Sequence, residues 1–252
     1  MEKPAMKSSQ RSWIAYRKPK PQATLRVFCF PYAGAGASVF RPWDKDLPHD
    51  IELCPVQLPG RETRAIERAY SQIEPLVEAL SLELKPFLDI PYVFFGYSMG
   101  ALIAFELARV FASQSVPGPS HIFLAARPAP RLPPPYQRTD MLSTPEFIEE
   151  LIRRGGISQM VLENRELLDM LLPTIRADFA LCENYTYTSG ETLSCPLTIF
   201  GGTADPNMDA DSLAAWSEET RSSCKVRMFA GDHFFIHTCQ AEIVRAIVDT
   251  VS

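Results

Sequence analysis

No stretch of this sequence approaches the roughly 18 consecutive apolar residues that a membrane-spanning helix requires, so no transmembrane segment is expected. A basic stripe with interleaved aromatics is also missing, and the formal net charge is −5. That combination argues against nucleic acid as a partner. Six cysteines, Cys29, Cys54, Cys182, Cys195, Cys224 and Cys239, form no C-x-x-C pair, and several sit inside apolar strand patterns. They read as reduced, buried side chains. The N-terminus is basic through Lys3, Lys7, Arg11, Arg17, Lys18 and Lys20, yet it has no apolar run long enough for a signal-peptide core. These absences together lead to the expectation of a cytoplasmic protein with neither membrane nor nucleic acid as a partner. Histidine is scarce as well, with four in 252 residues.

What is present is ordinary globular chemistry, 46% hydrophobic and 22% charged, in a chain long enough for one large α/β domain with an insertion. Residues 1–23 are polar and contain proline, and read as a flexible basic lead-in. Strands are expected at Leu25–Phe30, Ile51–Val56, Val93–Phe95, Ile122–Ala126, Leu197–Phe200 and Lys225–Phe229, with a helical apolar period over 71–88. Alternation of strands with helices predicts a mostly parallel sheet covered on both faces, with ligands outside the carboxyl ends of its strands. Over 128–192 that rhythm breaks. A proline-rich exit leads into short helical patterns, the first at 144–153 with Thr144 as its cap and Pro145 at its first position. The expected organisation is a core of 24–127 and 193–252 and a helical lid insertion at 128–192.

The chemistry concentrates where the apolar run ending at Phe95 meets Gly96-Tyr97-Ser98-Met99-Gly100 and then a helix-forming segment. Such a G-x-S-x-G turn presents a serine hydroxyl above the sheet edge, and its glycines let neighbouring main chain pack close. A serine needs a base to take its proton, and an acid to orient that base. Of the four histidines, His49 lies in a turn before a strand and His121 opens one. His233 follows Phe229-Ala-Gly-Asp232 just past the last strand, walled by Phe234, Phe235 and Ile236, and is the expected base. His237 stands four residues on, but no Glu or Cys completes a zinc site, and no metal is expected. The acid belongs between serine and histidine in the chain, at a strand end, where Leu197-Thr-Ile-Phe-Gly-Gly-Thr-Ala-Asp205 supplies it. The preceding strand exits through Ala126-Arg127-Pro128-Ala129 and offers no carboxylate. Asp209 and Asp211 suit a helix start and Asp232 a brace for the His233 loop. Oxyanion donors are expected from the backbone N–H of Met99 and, in the small-residue loop Pro31-Tyr32-Ala33-Gly34, from that of Ala33.

Phe28-Cys-Phe-Pro-Tyr-Ala-Gly34, Gln57-Leu-Pro-Gly-Arg61-Glu-Thr-Arg64, Gly96-Tyr-Ser-Met-Gly100, Asp205 and Gly231-Asp-His-Phe-Phe-Ile236 stand together in one chain. In that combination the sequence resembles a type II thioesterase, from about Trp13 to its end. The resemblance implies an α/β-hydrolase fold. It also implies hydrolysis of acyl or peptidyl groups from the phosphopantetheine arm of carrier proteins, which clears polyketide and non-ribosomal peptide assembly lines in antibiotic biosynthesis. No cofactor of the protein's own is implied, since the substrate brings the phosphopantetheine, and a monomer is expected. Under this resemblance the insert is a mobile lid over an acyl chamber, with Phe147, Leu151 and Phe179 from the lid and Phe234 beside the base as substrate contacts. Arg61 and Arg64, with Arg127, Arg153 and Arg154, are candidates to meet the phosphopantetheine phosphate or an acidic carrier helix. The same three catalytic residues would serve a general carboxylesterase or lipase, or an acyltransferase if the lid excludes water. A non-catalytic acyl-ligand receptor is the alternative outside enzymology.

Overall fold

Six short runs rich in Phe, Val, Ile and Leu, too brief for buried helices and separated by helical segments, assemble into one sheet. The computed structural model describes residues 12–133, 138–139, 141–154, 156–157 and 159–252. Its strands are β1 (Leu25–Phe30), β2 (Ile51–Pro55), β3 (Tyr92–Tyr97), β4 (His121–Ala125), β5 (Leu197–Gly202) and β6 (Cys224–Phe229), in the order β2-β1-β3-β4-β5-β6 and all parallel. The chain leaves β1 towards one edge of the sheet, through β2, and builds the rest of the sheet on the other side. The loops after β1 and β3 therefore diverge at neighbouring strand ends, which opens a crevice suited to a ligand.

Successive residues of each strand feed opposite faces. Phe28, Phe30, Phe94, Leu124 and Ile199 pack under α1 (Ile73–Leu84) and α2 (Met99–Ser113). Val27, Cys29, Val93, Phe95, Phe123 and Phe200 pack under the helix Gln240–Val251, together with Phe40 and Trp43 of the 3-10 segment Ala37–Lys45. Burial on both faces is what allows strands without polar alternation. Of the lead-in expected over 1–23, residues 1–11 lie outside the described residues and residues 12–23 lie along the edge of the sheet. Trp13 and Ile14 are buried, Ile14 bridges Val56, and the Glu52 carboxylate accepts from Arg17 and from the Lys20 backbone N–H.

Between β4 and β5 the chain forms α3 (Thr144–Arg153), α4 (Gln159–Glu163) and α5 (Arg165–Glu183). The cap of α3 is Ser143, not Thr144, because Glu146 sits three residues beyond it and its carboxylate accepts the Ser143 N–H at 2.8 Å. The insert has a small apolar centre of its own, Phe147, Leu151, Leu168, Leu172 and Ile175, separate from both clusters of the sheet. Among the described residues, no helix is long and apolar enough to cross a membrane, and the six cysteines are unpaired.

Candidate active site

Ser98 sits between the end of β3 and the start of α2 with φ 52° and ψ −109°, a conformation that costs a non-glycine residue free energy. Neighbouring backbone imposes it. A Cβ on Gly100 would overlap the Phe30 carbonyl oxygen, and one on Gly96 would overlap that of Gly100, so helix and strand meet only through glycine at both positions. The Ser98 N–H donates to the Ala125 carbonyl at 2.8 Å, which fixes the turn to the neighbouring strand's end.

Asp205 leaves the end of β5 and is 5% exposed. Burial pushes its pKa up, but the hydrogen bond from His233, the attraction of that ring once protonated and the Asn207 N–H at 3.0 Å outweigh it and hold the carboxyl below its ordinary value. An ionised carboxylate can only accept, so His233 Nδ1–H donates to Asp205 Oδ2 at 2.6 Å. That tautomer leaves Nε2 as an acceptor, 3.2 Å from Ser98 Oγ. The His233 loop is braced by Tyr97 Oη, which donates to the His233 carbonyl at 2.6 Å, and by Asp232 Oδ1, which accepts the Phe234 N–H at 2.8 Å. Three segments remote in sequence are thus brought into one hydrogen-bonded chain at the ends of β3, β5 and β6.

The thioesterase domain model matches residues 25–251. This chain belongs to the thioesterase family. It is 41% identical over 237 residues to the gramicidin S biosynthesis protein GrsT of Aneurinibacillus migulanus, covering 94% of this chain and 93% of that one. Among solved structures it is similar to the RedJ thioesterase of the prodiginine pathway in Streptomyces coelicolor, with TM-score 0.84, 36% identity and 91% of each chain covered. It is also similar to BorB, the type II thioesterase of the borrelidin cluster, with TM-score 0.84, 34% identity, and 96% of this chain and 99% of that one covered. The chain is accordingly a type II thioesterase with an α/β-hydrolase fold, and its activity is thioester hydrolysis.

In this thioesterase a cavity opens at Ser98 and His233, lined from the sheet side by Tyr32, Ala33, Arg127, Asn207 and Phe234, and from the insert by Arg154, Gly156, Phe179, Cys182 and Glu183. The expected contacts Phe179 and Phe234 lie on its wall. Phe147 and Leu151 do not, because both are fully buried in the centre of the insert. Arg61 and Arg64 are turned inward as well, each 4% exposed. Arg61 donates to both carboxylate oxygens of Asp178 at 2.7 Å, and Arg64 donates to Glu67 at 2.7 and 2.8 Å with its guanidinium 4.1 Å from the Trp13 ring. Buried and spent in this way, neither reaches a phosphate outside the molecule. Of the wider arginine set, Arg127 and Arg154 line the cavity, while Arg153 is exposed and pairs with Glu150.

The backbone N–H groups of Ala33 and Met99 donate to no acceptor among the described residues. Met99 is the first residue of α2, where the helix leaves its amides without an internal partner. His237, four residues after His233, shares a 2.9 Å hydrogen bond with Tyr32 Oη, and burial, only partly opposed by Asp232, holds its pKa below the ordinary value. Asp209 caps the short helix α6 (Ala210–Ala214) by accepting the Ser212 N–H at 2.7 Å. His49 is exposed, and His121 lies in β4 against Thr198. Among the described residues no group of three His, Cys, Asp or Glu side chains is arranged to hold a metal ion. Asp178, Asn207, Tyr32, Cys182 and Glu183 belong to the surroundings of the site without having been singled out from sequence. Asn207 and Tyr32 adjoin residues the motifs did point to, whereas the three on α5 carry no local signal.

Proposed function

We propose that the protein hydrolyses acyl or peptidyl thioesters held on the phosphopantetheine arm of carrier-protein domains in a polyketide or non-ribosomal peptide assembly line, with Ser98, His233 and Asp205 as its catalytic residues. The observation that carries this reading is the hydrogen-bonded chain from Asp205 through His233 to Ser98 at the mouth of a cavity walled by the insert. His233 Nε2 takes the Ser98 proton as Oγ attacks the thioester carbonyl. The oxyanion is met by the Met99 and Ala33 N–H groups, and the pantetheine thiolate leaves with the proton returned by His233. Water then attacks the acyl-serine by the same route and releases a free acid. Asp205 keeps Nδ1 protonated and stabilises the imidazolium that forms in each half-reaction.

The reaction so written needs no cofactor held by the protein. GrsT, named for gramicidin S biosynthesis, and BorB, a type II thioesterase of the borrelidin biosynthetic cluster, support carrier-bound thioesters as its substrates. A cytoplasmic monomer meeting successive carrier domains fits this role. The test is acyl release from an acyl-phosphopantetheinyl carrier protein, with a small acyl thioester and the matching oxygen ester as controls. Ser98→Ala should abolish release, and Asp205→Asn, which puts the imidazole in the wrong tautomer, should lower kcat by about 10⁴-fold. Serine-independent release, or a preference for the oxygen ester, would sink the reading.

A further inference from the structure

Arg61 and Asp178 lie 117 residues apart in the chain, one in the loop after β2 and the other on α5. Their side chains form a planar two-bond pair, Arg61 Nη1 to Asp178 Oδ2 and Arg61 Nη2 to Asp178 Oδ1, both at 2.7 Å. Asp178 is 1% exposed. A buried pair of this kind contributes little net stability compared with apolar residues of similar volume, so its presence calls for another account.

That account lies in the third partner. Asp178 Oδ2 also accepts the Gly34 N–H at 2.7 Å, and Arg61 Nη1 donates to the Ala35 carbonyl at 3.1 Å. Gly34 occupies the third position of a turn closed by the Ala35 N–H on the Tyr32 carbonyl at 3.0 Å, with φ 81°, which only glycine adopts without strain. The pair therefore grips the turn at two points, the Ala33–Gly34 peptide through its N–H and the Ala35–Gly36 peptide through its carbonyl. Peptide planarity leaves only the two dihedrals of Ala33 between the gripped Ala33–Gly34 peptide and the N–H of Ala33, a residue that lines the cavity and whose N–H donates to no acceptor among the described residues. Two further contacts bring α5 to the same loops. Thr174 Oγ1 donates to the Gly60 carbonyl at 2.7 Å, and Ile175 packs beside Gly34.

We propose that Asp178 and Arg61 are positioning residues for the oxyanion site, through which the seating of α5 on the core sets the Ala33 N–H for catalysis. The inference rests on the thioesterase mechanism proposed above and adds a dependence on the insert. With α5 in place the turn is held and the donor is aimed. With α5 lifted, Gly34 loses its acceptor and the donor is free to swing.

The test compares the parent with Arg61→Met/Asp178→Leu, which removes both charges, and with Arg61→Met/Asp178→Asn, which restores an acceptor for the Gly34 N–H. Acyl-thioester kinetics, melting temperature and affinity for an acyl trifluoromethyl ketone are measured for each. The ketone forms a tetrahedral adduct on the serine and so reports the oxyanion site. Arg61→Met/Asp178→Leu should keep KM within about twofold while kcat and ketone affinity fall together, by roughly 10- to 100-fold for a weakened oxyanion donor. The Asn variant should recover most of both. Should the Leu variant fail to fold, Arg61→Met/Asp178→Ala, which also removes the acceptor for the Gly34 N–H, serves as the readout and is expected to lower kcat and ketone affinity in parallel. A folded variant of either kind with parental kcat and ketone affinity overturns the inference and leaves the thioesterase mechanism standing. A parent that releases no acyl group overturns that mechanism and this inference together.

Discussion

The sheet and the helical insert face each other across Ser98, and they are built differently. In the sheet, Phe28, Phe30, Phe94, Phe95, Phe123 and Leu124 have no exposed surface and are sealed by helices on both sides. In the insert, the buried centre comprises five apolar side chains among the described residues, and charged side chains pair along the surface, as in Arg165 with Asp169 and Glu150 with Arg153. Exposed pairs of that kind contribute only tenths of a kcal/mol. Helix α5 belongs to both regions, since Leu168 and Leu172 sit in the insert's centre while Leu181 joins the cluster under α1 and α2. The difference predicts that nucleophile, base and acid stand on the part that opens only with global unfolding, and the outer wall on a part with a lower opening free energy.

Matched truncations test this contrast most severely. Phe94→Ala should cost about 3–5 kcal/mol in denaturant unfolding, as expected for deletion of a large ring from a close-packed core. Phe147→Ala removes an equally buried ring, one packed edge-on against Phe179 at 5.5 Å. It should cost less than about half as much globally and instead speed amide exchange in α3 by about 10-fold or more. Equal global costs with unchanged exchange in α3 would show that insert and sheet unfold as one unit.

Glycine supplies a second pair. Gly100→Ala drives a methyl into the Phe30 carbonyl, a backbone atom that cannot move without the whole elbow, and should cost about 3 kcal/mol or more together with activity. At Gly156 the nearest atom to an added Cβ is the Leu151 carbonyl oxygen, at an ordinary 3.7 Å, so Gly156→Ala should stay within about 0.5 kcal/mol of the parent. A tolerated Gly100→Ala, read by thermal melting, would remove the steric argument for the elbow.

The two regions also differ in how far the sequence reveals them. The strands announce themselves as short apolar runs, and the meeting of Asp205, His233 and Ser98 follows from a glycine-flanked serine and the order in which acid and base come after it. Arg61 and Arg64 mislead because charges in a Pro-Gly loop read as solvent-facing. Their inward turn depends on Asp178 and Trp13, and nothing local ties Arg61 to a carboxylate in the insert. Phe147 and Leu151 on α3 and Phe179 on α5 all stand at apolar positions of helical patterns, which do not say which of them faces a cavity and which a neighbouring helix. The cap of α3 depends on Glu146 choosing between adjacent Ser143 and Thr144, both good cap formers. The polar, proline-containing composition of 12–23 hides the burial of Trp13 and Ile14, because two apolar residues set the packing of a segment whose average is hydrophilic.

Mild acid should separate the regions by the smallest effect of the set. His121 opens β4, stacked on Phe123 with ring centroids 4.5 Å apart, and burial followed by the charge of Lys225 lowers its pKa to about 4. The unfolded chain binds a proton on this ring below about pH 6.5, whereas the folded chain refuses it until about pH 4. Stability from the neutral ring is therefore complete above pH 6.5 and drains away as pH falls to 4. Because the ring is only half-buried, solvent screening holds the loss to about 1 kcal/mol. In the insert, the hydrogen bond from Arg153, helped by Arg154, lowers the Glu150 pKa to about 2 against burial. That carboxylate stays ionised in the folded chain, and what it contributes is complete above its ordinary value of about 4.5 and drains away as pH falls from there through about 2. Between pH 6.5 and 4.5 acid should thus weaken the sheet and spare the pairing of α3. Denaturant midpoints at pH 7, 5.5 and 4.5 check this. The parent should lose stability faster than His121→Gln, which keeps a partner for Thr198 without the titration, while amide exchange in α3 corrected for pH holds constant. Parallel curves for parent and variant would place the acid sensitivity elsewhere in the molecule.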